Sequence, residues 1–116
     1  NHTVAIEYKD ENEGGISRPS VIREADGSYT MWYSYRAKTH YRGENLANAY
    51  RIGVATSKDG IRWERKDASV GIDIGETGWD SEMIEYPMVF DIQSKRYMYY
   101  NGNGFGRSGF GLAEKM

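Results

Sequence analysis

The sequence predicts an all-β fold made of two β-propeller blades, because the chain contains one strand pattern twice. The repeated runs are Pro19–Ile22, Met31–Ser34 and Arg51–Ala55 in the first copy, and Pro87–Phe90, Met98–Asn101 and Gly109–Ala113 in the second. The interval between the copies is 68 residues at the prolines, 67 at the methionines and 58 at the central glycines. The shorter final interval indicates a shorter loop in the second copy.

Composition supports an ordered β structure and narrows the possible partners. The 116 residues include 10 Tyr, 3 Trp and 14 Gly but only 2 Pro, a mixture typical of short aromatic strands joined by turns. A net charge of -2 gives no electrostatic reason to expect nucleic acid or an anionic membrane as a partner. No apolar run approaches the roughly 18 residues that a membrane-spanning helix needs.

Metal and cofactor sites are not predicted either. The chain has no cysteine, which excludes disulfides and thiolate ligands. Its two histidines, His2 and His40, do not by themselves make a metal-binding constellation. We therefore expect no metal and no cofactor.

The first predicted blade covers about 17–66. Its strands are Ser20–Arg23, Tyr29–Tyr35, Tyr50–Thr56 and Ile61–Arg65. Asp-Gly pairs in Ala25–Ser28 and Ser57–Gly60 predict tight turns between the first two and the last two strands. The polar segment 37–49 between the middle strands is predicted as a long loop or a short helix.

The second predicted blade covers about 84–114 and has only three strands of its own. They are Met88–Ile92, Arg96–Asn101 and Gly109–Glu114. The segment Thr3–Tyr8 alternates in the manner of a strand, so we expect it to fill the missing edge, within the chain or in a neighbouring copy. The whole chain, 1–116, is predicted to be a single domain.

Two blades are fewer than a stable array of repeats needs, which is about three. We therefore expect a homo-oligomer or a part of a larger propeller. In such a meander the long segments 10–18, 36–49, 67–86 and 102–107 meet at one end, and long loops on a regular scaffold commonly carry the functional site.

Four segments resemble the five-bladed β-propeller glycosidases, the arabinanase- and β-xylosidase-like enzymes with their relatives among invertases and mannoside phosphorylases. The segments are Ile16–Val21, Thr56–Trp63, Glu85–Val89 and Tyr97–Asn101. The resemblance covers nearly the whole chain as about two of five blades. It implies a carbohydrate substrate and catalytic carboxylates at the first strands of successive blades, each just before a proline.

Glu85 matches the general-acid position of that family. A glutamate beside Tyr86 and Pro87 that faces a partly desolvated pocket would have a raised pKa and could protonate a leaving oxygen. The alternative is a solvated loop carboxylate that precedes a strand.

Arg18 stands where the resemblance would place an aspartate that tunes the general acid. An arginine cannot serve as a base, but it could clamp a substrate carboxylate or a phosphate, which would suit an acidic sugar or phosphorolysis. The alternative is an ion pair with a neighbouring acid such as Glu85. The base of that family lies in another blade, and no matching Asp-Pro is present in this chain.

Six further residues, in the loops and at the end of one strand, are predicted to bind substrate. They are His40, Trp79, Asp80, Glu82, Asn101 and Asn103. Asp80 and Glu82 could supply a second acid or bind hydroxyls, and Trp79 could stack on a sugar ring. Each residue also has a structural alternative: hydrogen bonds within the loop, a seam between blades, turn chemistry, or simple exposure for His40.

The function predicted from these residues is cleavage of a glycosidic bond with Glu85 as the proton donor. Two alternatives use the same surface without chemistry. One is a non-catalytic carbohydrate-binding module, and the other is an assembly unit whose copies close a propeller by oligomerisation.

Overall fold

A computed structural model describes residues 2–116 and arranges them in two antiparallel sheets. The first sheet has the order β1-β2-β3-β4, and the second has the order β5-β6-β7. The strands are β1 (Glu13–Arg23), β2 (Tyr29–Ala37), β3 (Arg51–Ser57), β4 (Glu64–Arg65), β5 (Glu85–Ile92), β6 (Lys95–Asn101) and β7 (Phe110–Glu114). The all-β prediction is confirmed, and the described residues do not close a ring.

The two sheets share one distinctive irregularity in their first strands. The register of β1 against β2 shifts between Ser17 and Ser20, and that of β5 against β6 shifts between Glu85 and Met88. Inside each shift a residue with positive φ precedes a proline: Arg18 has φ 56° and Tyr86 has φ 59°. A positive φ is uncommon outside glycine, so its recurrence at equivalent places shows that the sequence repeat is also a structural repeat.

The second sheet lies across the first, with β5 in contact with β1, β2 and β3. The core between the sheets contains Trp32, Ile52, Val54, Ile84, Val89, Met98 and Tyr100. Two serines of the first sheet accept hydrogen bonds from backbone amides of β5. Ser34 Oγ accepts from Tyr86 N at 2.7 Å, and Ser20 Oγ accepts from Val89 N at 3.0 Å. These bonds satisfy backbone amides that an unpaired strand edge would otherwise bury without partners.

Three strands begin at least three residues away from the predicted start. β5 begins at Glu85 instead of Met88, and β1 and β4 differ for local reasons. β1 begins at Glu13 instead of Ser20, because residues 13–17 continue the pairing with the end of β2. β4 is shortened from Ile61–Arg65 to Glu64–Arg65. The Asp59 carboxylate accepts hydrogen bonds from the amides of Ile61 (2.8 Å) and Arg62 (2.9 Å), which prolongs the turn.

The prediction of a strand at Thr3–Tyr8 is wrong. The segment is irregular and does not complete the second sheet, which has three strands. Ile6 instead packs on Met31, Tyr33 and Ala55 of the first sheet, and Glu7 O accepts a hydrogen bond from Arg65. Alternation shows which side chains face the same way, but a strand also needs a neighbouring edge with free amides and carbonyls.

Arg65 is the centre of an ion cluster on the face of the first sheet that carries Tyr33. Its guanidinium donates to both carboxylate oxygens of Glu13, at 2.6 and 2.8 Å, and to Asp67 Oδ2 at 2.7 Å. Asp67 Oδ1 accepts from Tyr33 and from the amide of Val54. The cluster joins the start of β1 to the residues that follow β4.

A second cluster joins the two sheets at the end where their tight turns lie. Arg96 of β6 donates to both oxygens of Glu24, at 2.9 and 2.7 Å, and also to Asp91. The pKa of Glu24 is lowered to about 2, mainly by its hydrogen bonds from Arg96. The ring of Trp32 lies 5.3 Å from the same guanidinium.

The turn between β5 and β6 predicts a stabilising substitution. Gln93 and Ser94 both have positive φ, 50° and 69°, as in the two-residue type I′ turns that favour Asn-Gly. Replacing the pair by Asn-Gly should raise the free energy of unfolding by about 1 kcal/mol, because glycine adopts this backbone without steric cost. Urea denaturation measures the change, with Ser94→Ala as a control that should gain nothing. Lower stability of the Asn-Gly variant would contradict the assigned turn.

No helix in the described range 2–116 is long and apolar enough to cross a membrane.

Candidate functional site

Glu85 is a fully buried carboxyl without a hydrogen-bond partner. It is the first residue of β5 and lies opposite Asn101 of β6. Its exposed fraction is 0%, and neither carboxylate oxygen has a partner within the part of the chain that the structure describes. Buried carboxylates are normally paired or hydrogen-bonded, so this one is exceptional in the molecule.

Burial controls the protonation of this group. It raises the pKa of Glu85 from its ordinary value of 4.5 to about 8. Desolvation favours the neutral acid, and no nearby cation offsets that effect. Glu85 therefore carries a proton at neutral pH, and the alternative of a solvated loop carboxylate is wrong.

Aromatic side chains and one arginine surround the start of β5. The Arg18 guanidinium lies 4.9 Å from the ring centroid of Tyr86. The Tyr86 ring lies 5.9 Å from that of Tyr50, which in turn lies 5.5 Å from Phe105. Sequence reasoning missed Tyr50 and Phe105 as members of this site because the contacts of their rings depend on how the two sheets pack together.

Arg18 contacts the ring of Tyr86, the residue after Glu85, and is not paired with Glu85 itself. Arg18 is exposed, and among the described residues it takes part in none of the ion pairs. The expected alternative of an Arg18–Glu85 ion pair is therefore wrong. The guanidinium is held over an aromatic face, which leaves its N–H groups available to a ligand.

The strand register corrects the equivalence assumed for Arg18. Glu85 pairs with Asn101 just before its register shift, and Ser17 pairs with Ser34 just before the matching shift. Ser17 is thus the counterpart of Glu85, and Arg18 is the counterpart of Tyr86. In the family that the chain resembles, the position of Ser17 would hold the carboxylate that tunes the general acid. This chain has a serine there.

Trp79 and Asp80 make structural contacts in the second sheet. The indole lies against the ring of Tyr100, with centroids 5.2 Å apart, and it occupies the space above Gly102 and Gly111. Tyr100 donates a hydrogen bond to Asp80 Oδ2 at 3.0 Å. These contacts favour structural roles over direct contact with a sugar: packing between sheets for Trp79 and a hydrogen bond that holds the loop for Asp80.

Asn103 organises the loop that leads into β5. Its Oδ1 accepts from the amides of Glu82 (2.8 Å) and Met83 (3.3 Å), and its Nδ2 donates to Gly78 O at 2.9 Å. The side chain is buried, and Met83 and Ile84 are fully buried. Asn103 therefore positions Glu85 through the preceding backbone.

The three remaining predicted residues lie at different distances from this arrangement. Asn101 donates weakly to Phe105 O at 3.4 Å and is the strand partner of Glu85. The Glu82 side chain lies beside Gly43. His40 is exposed, with φ 55°, and no contact links it to Glu85.

Two clefts open elsewhere on the molecule. One of about 660 Å³ lies at the loop end of the first sheet and is lined by Lys9, Arg36, Lys38 and Arg51 among others. Another of about 520 Å³ lies between the sheets near Arg96. Glu85 lines neither, because its carboxyl is enclosed. Residues 2–116 contain no group of three or more His, Cys, Asp or Glu side chains suited to a metal.

Similar proteins are known in Mycobacterium tuberculosis. They are uncharacterized protein MT1551 of strain CDC 1551 and uncharacterized protein Rv1502 of strain H37Rv. Each is 43% identical to this chain over 110 residues, which is 95% of the chain and 33% of the relative. The chain thus spans about a third of the length of the curated relatives it matches. No family profile and no solved structure matches the sequence.

Proposed function

We propose that this chain forms part of a β-propeller that cleaves glycosidic bonds, with Glu85 as the general acid. The observation that carries the proposal is the buried carboxyl of Glu85, which has no hydrogen-bond partner among residues 2–116 and a pKa of about 8. An acid that remains protonated at neutral pH is what a poor leaving group such as a sugar alkoxide requires.

The proposed chemistry is a proton transfer from Glu85 to the glycosidic oxygen as the bond to the anomeric carbon breaks. The leaving sugar departs as a neutral alcohol, and Glu85 becomes a carboxylate. The electron-poor anomeric carbon is attacked by a water, or by phosphate in a phosphorolytic version, with a base supplied from another part of the full site. Because the carboxyl is enclosed, substrate must reach it by displacing neighbouring groups such as the Tyr50, Tyr86 and Phe105 rings.

The repeat supports a propeller as the setting of this site. The first strands of the two sheets, β1 and β5, are in contact, and Arg18 of β1 lies against Tyr86 of β5, the residue after Glu85. The relatives are about three times as long as the matched region. A repeat of 67 or 68 residues would fit into them about five times, within the usual range of blade numbers.

Arg18 favours a substrate with a negative charge. Arg18 is exposed, and its guanidinium lies over the ring of Tyr86, which follows the residue proposed as the acid. Arginine binds a carboxylate or phosphate through two parallel hydrogen bonds, so a uronic acid or a phosphorylated sugar would be the preferred ligand class.

A non-catalytic carbohydrate-binding module is the second candidate, and the enclosure of Glu85 favours it. In that case the surface around Arg18 and Tyr86 binds a glycan, and Glu85 has only a structural role as a buried residue of β5. An assembly unit that closes a propeller by oligomerisation is a third candidate, for which the exposed apolar side chains of the second sheet, Met88, Phe110 and Leu112, are the relevant surface.

The proposed acid is tested by turnover of glycosides that differ in leaving group. In the complete natural polypeptide, Glu85→Gln should lower kcat by about 10²–10⁴-fold for alkyl glycosides and much less for 4-nitrophenyl glycosides. An activated phenol leaves without protonation, so only the substrates that need an acid lose rate. Both series should include neutral sugars and uronic acids.

Glu76→Gln is the matched control, since Glu76 is an exposed glutamate of the loop before β5. Equal turnover by the wild type and Glu85→Gln across the leaving groups would reject Glu85 as the acid. Glycan binding without turnover of any sugar by the wild type would favour the carbohydrate-binding alternative.

A further inference from the structure

The cleft at the loop end of the first sheet carries positive charge in a chain that is negative overall, and we call it the basic cleft. Four basic and two acidic side chains line its volume of about 660 Å³, whereas the whole chain has a net charge of -2. These residues are Lys9, Arg36, Lys38 and Arg51, with Asp10 and Glu13. A cleft with an excess of one charge attracts ions of the opposite sign.

Two of the charges in the basic cleft are neutralised by residues outside its lining. Both carboxylate oxygens of Glu13 accept from Arg65, at 2.6 and 2.8 Å. The Nε of Arg51 lies 2.9 Å from Asp73 Oδ1. These two pairs hold the walls of the cleft and add nothing to its net charge.

Three cations of the basic cleft remain without an ion pair. Lys9, Arg36 and Lys38 take part in none of the ion pairs formed among residues 2–116. The other carboxylate of the lining, that of Asp10, accepts from two backbone amides through Oδ1, at 2.9 and 3.2 Å. The cleft therefore keeps an excess of positive charge that a ligand can neutralise.

Arg36 is held in place by packing. Its guanidinium carbon lies 3.9 Å from the centroid of the Tyr41 ring, and a Cβ added to Gly15 would lie only 2.8–3.1 Å from the same group. Nη1 donates to Ala37 O at 3.0 Å. Arginine has five N–H groups, so others remain for a ligand, and a fixed planar guanidinium binds a carboxylate or phosphate in a defined orientation.

Arg36 shares an unusual property with Glu85. The buried side-chain polar atoms without a hydrogen-bond partner in the described range 2–116 are Arg36 Nε and the two carboxylate oxygens of Glu85. Native proteins pair nearly all such atoms, and each exception calls for an explanation, such as a bound ion. An anion in the basic cleft would compensate the guanidinium charge that the protein leaves unpaired.

We infer that the basic cleft binds the carboxylate or phosphate group of a small acidic ligand, with Arg36 as the main binding residue and Lys9 and Lys38 as supporting charges. The volume of about 660 Å³ lies within the range of small-molecule sites and suits a ligand of the size of a sugar. The Lys9 ammonium lies 4.6 Å from the centroid of the Tyr35 ring, which also lines the cleft.

Uncharged polar side chains indicate that the rest of the ligand carries hydroxyl groups. Asn12, Thr39 and Asn48 belong to the lining. Asn48 Nδ2 donates to Thr39 O at 2.9 Å, and its Oδ1 is an acceptor for a hydroxyl. Neither Arg18 nor Glu85 lines the cleft, so this second site is separate from the one proposed for catalysis and does not depend on it.

Calorimetric titration of the complete natural polypeptide with glucose 6-phosphate, glucuronate and glucose tests the inference. The first two probes present a phosphate and a carboxylate on one sugar scaffold, and glucose is the neutral control. Arg36→Met should weaken binding of the anion by about tenfold, and Lys38→Met by about threefold. Arg62→Met, which removes an arginine with a 92% exposed side chain, and Glu85→Gln should leave the affinity unchanged.

The variants give each result a meaning. Binding of either anion that weakens in Arg36→Met and Lys38→Met supports the inference, and the probe that binds identifies the group as phosphate or carboxylate. Loss of binding in Arg18→Met but not in Lys38→Met would place the anion at the site proposed for catalysis and overturn the inference. Glucose binding as tightly as the anions, or no binding of either anion, would also overturn it.

Lys9→Met keeps the test decisive if Arg36→Met does not fold. Lys9 and Lys38 are exposed, so their replacement leaves the packing of the first sheet intact. Each of these variants should weaken binding about threefold, and the double variant about tenfold. An affinity that is unchanged in the double variant would overturn the inference.

Discussion

Raising the pH from 5 to 9 should lower the free energy of unfolding of this chain by roughly 2–4 kcal/mol, and Glu85→Gln should abolish most of that loss. The folded pKa of Glu85 is about 8, whereas the unfolded chain has the ordinary value of 4.5. Between these values the folded state holds a proton that the unfolded state has released. Stability is therefore fully present below about pH 4.5 and declines as the pH rises through 8.

Urea denaturation at pH 5, 6, 7, 8 and 9 measures this dependence. The difference between wild type and Glu85→Gln isolates the contribution of one residue, because all other groups titrate in both proteins. Glu76→Gln, on the exposed part of the loop, should follow the wild type at every pH. Parallel curves for wild type and Glu85→Gln would mean that the carboxyl is solvated or paired, and the proposed acid would lose its physical basis.

Removing the charge of Arg65 should have an effect of similar size at neutral pH. Arg65→Met should lower the free energy of unfolding by about 3–5 kcal/mol, because it leaves a buried carboxylate without its partner. The side chain of Glu13 is 1% exposed and receives both of its short ion-pair contacts from Arg65. Methionine replaces the apolar part of the Arg65 side chain beside the rings of Tyr33 and Tyr35. The measured loss of stability therefore reflects mainly the removal of the charge.

Arg62→Met is the control for the Arg65 experiment. Its guanidinium lies 3.9 Å from Asp59 and is 92% exposed, so its loss should cost less than about 0.5 kcal/mol. The double variant Arg65→Met with Glu13→Gln should recover much of the loss, since the uncompensated charge is removed with its partner. A loss below about 1 kcal/mol for Arg65→Met alone would show that solvent reaches Glu13.

The strands were predictable where the signal is local. Alternation and Asp-Gly turns located β2, β3 and β6 within about two residues, and the doubled pattern correctly predicted two sheets. The same rule failed at Thr3–Tyr8, which alternates but pairs with neither sheet. It also missed the start of β1, because Glu13–Ser17 pairs through a bulge that has no sequence signature.

The site was predictable in part. The resemblance singled out Glu85 but left open whether it faces a partly desolvated pocket or solvent; the structure has it fully buried. The contact of Arg18 with Tyr86 instead of Glu85 was not predicted, because a guanidinium is attracted to the face of an aromatic ring as well as to a carboxylate. The structural contacts of Trp79, Asp80 and Asn103 also required the fold, because their partners lie about 20 residues or more away in the chain.

The sequence by itself determined that this protein is a duplicated set of short antiparallel strands, because side-chain alternation and turn residues act over a few positions. The tertiary structure alone decided the charge state of Glu85, the Arg65–Glu13 pair across 52 residues, and the face of the second sheet that remains open. These properties depend on which groups are excluded from water and by what, and that is settled only when distant segments pack together.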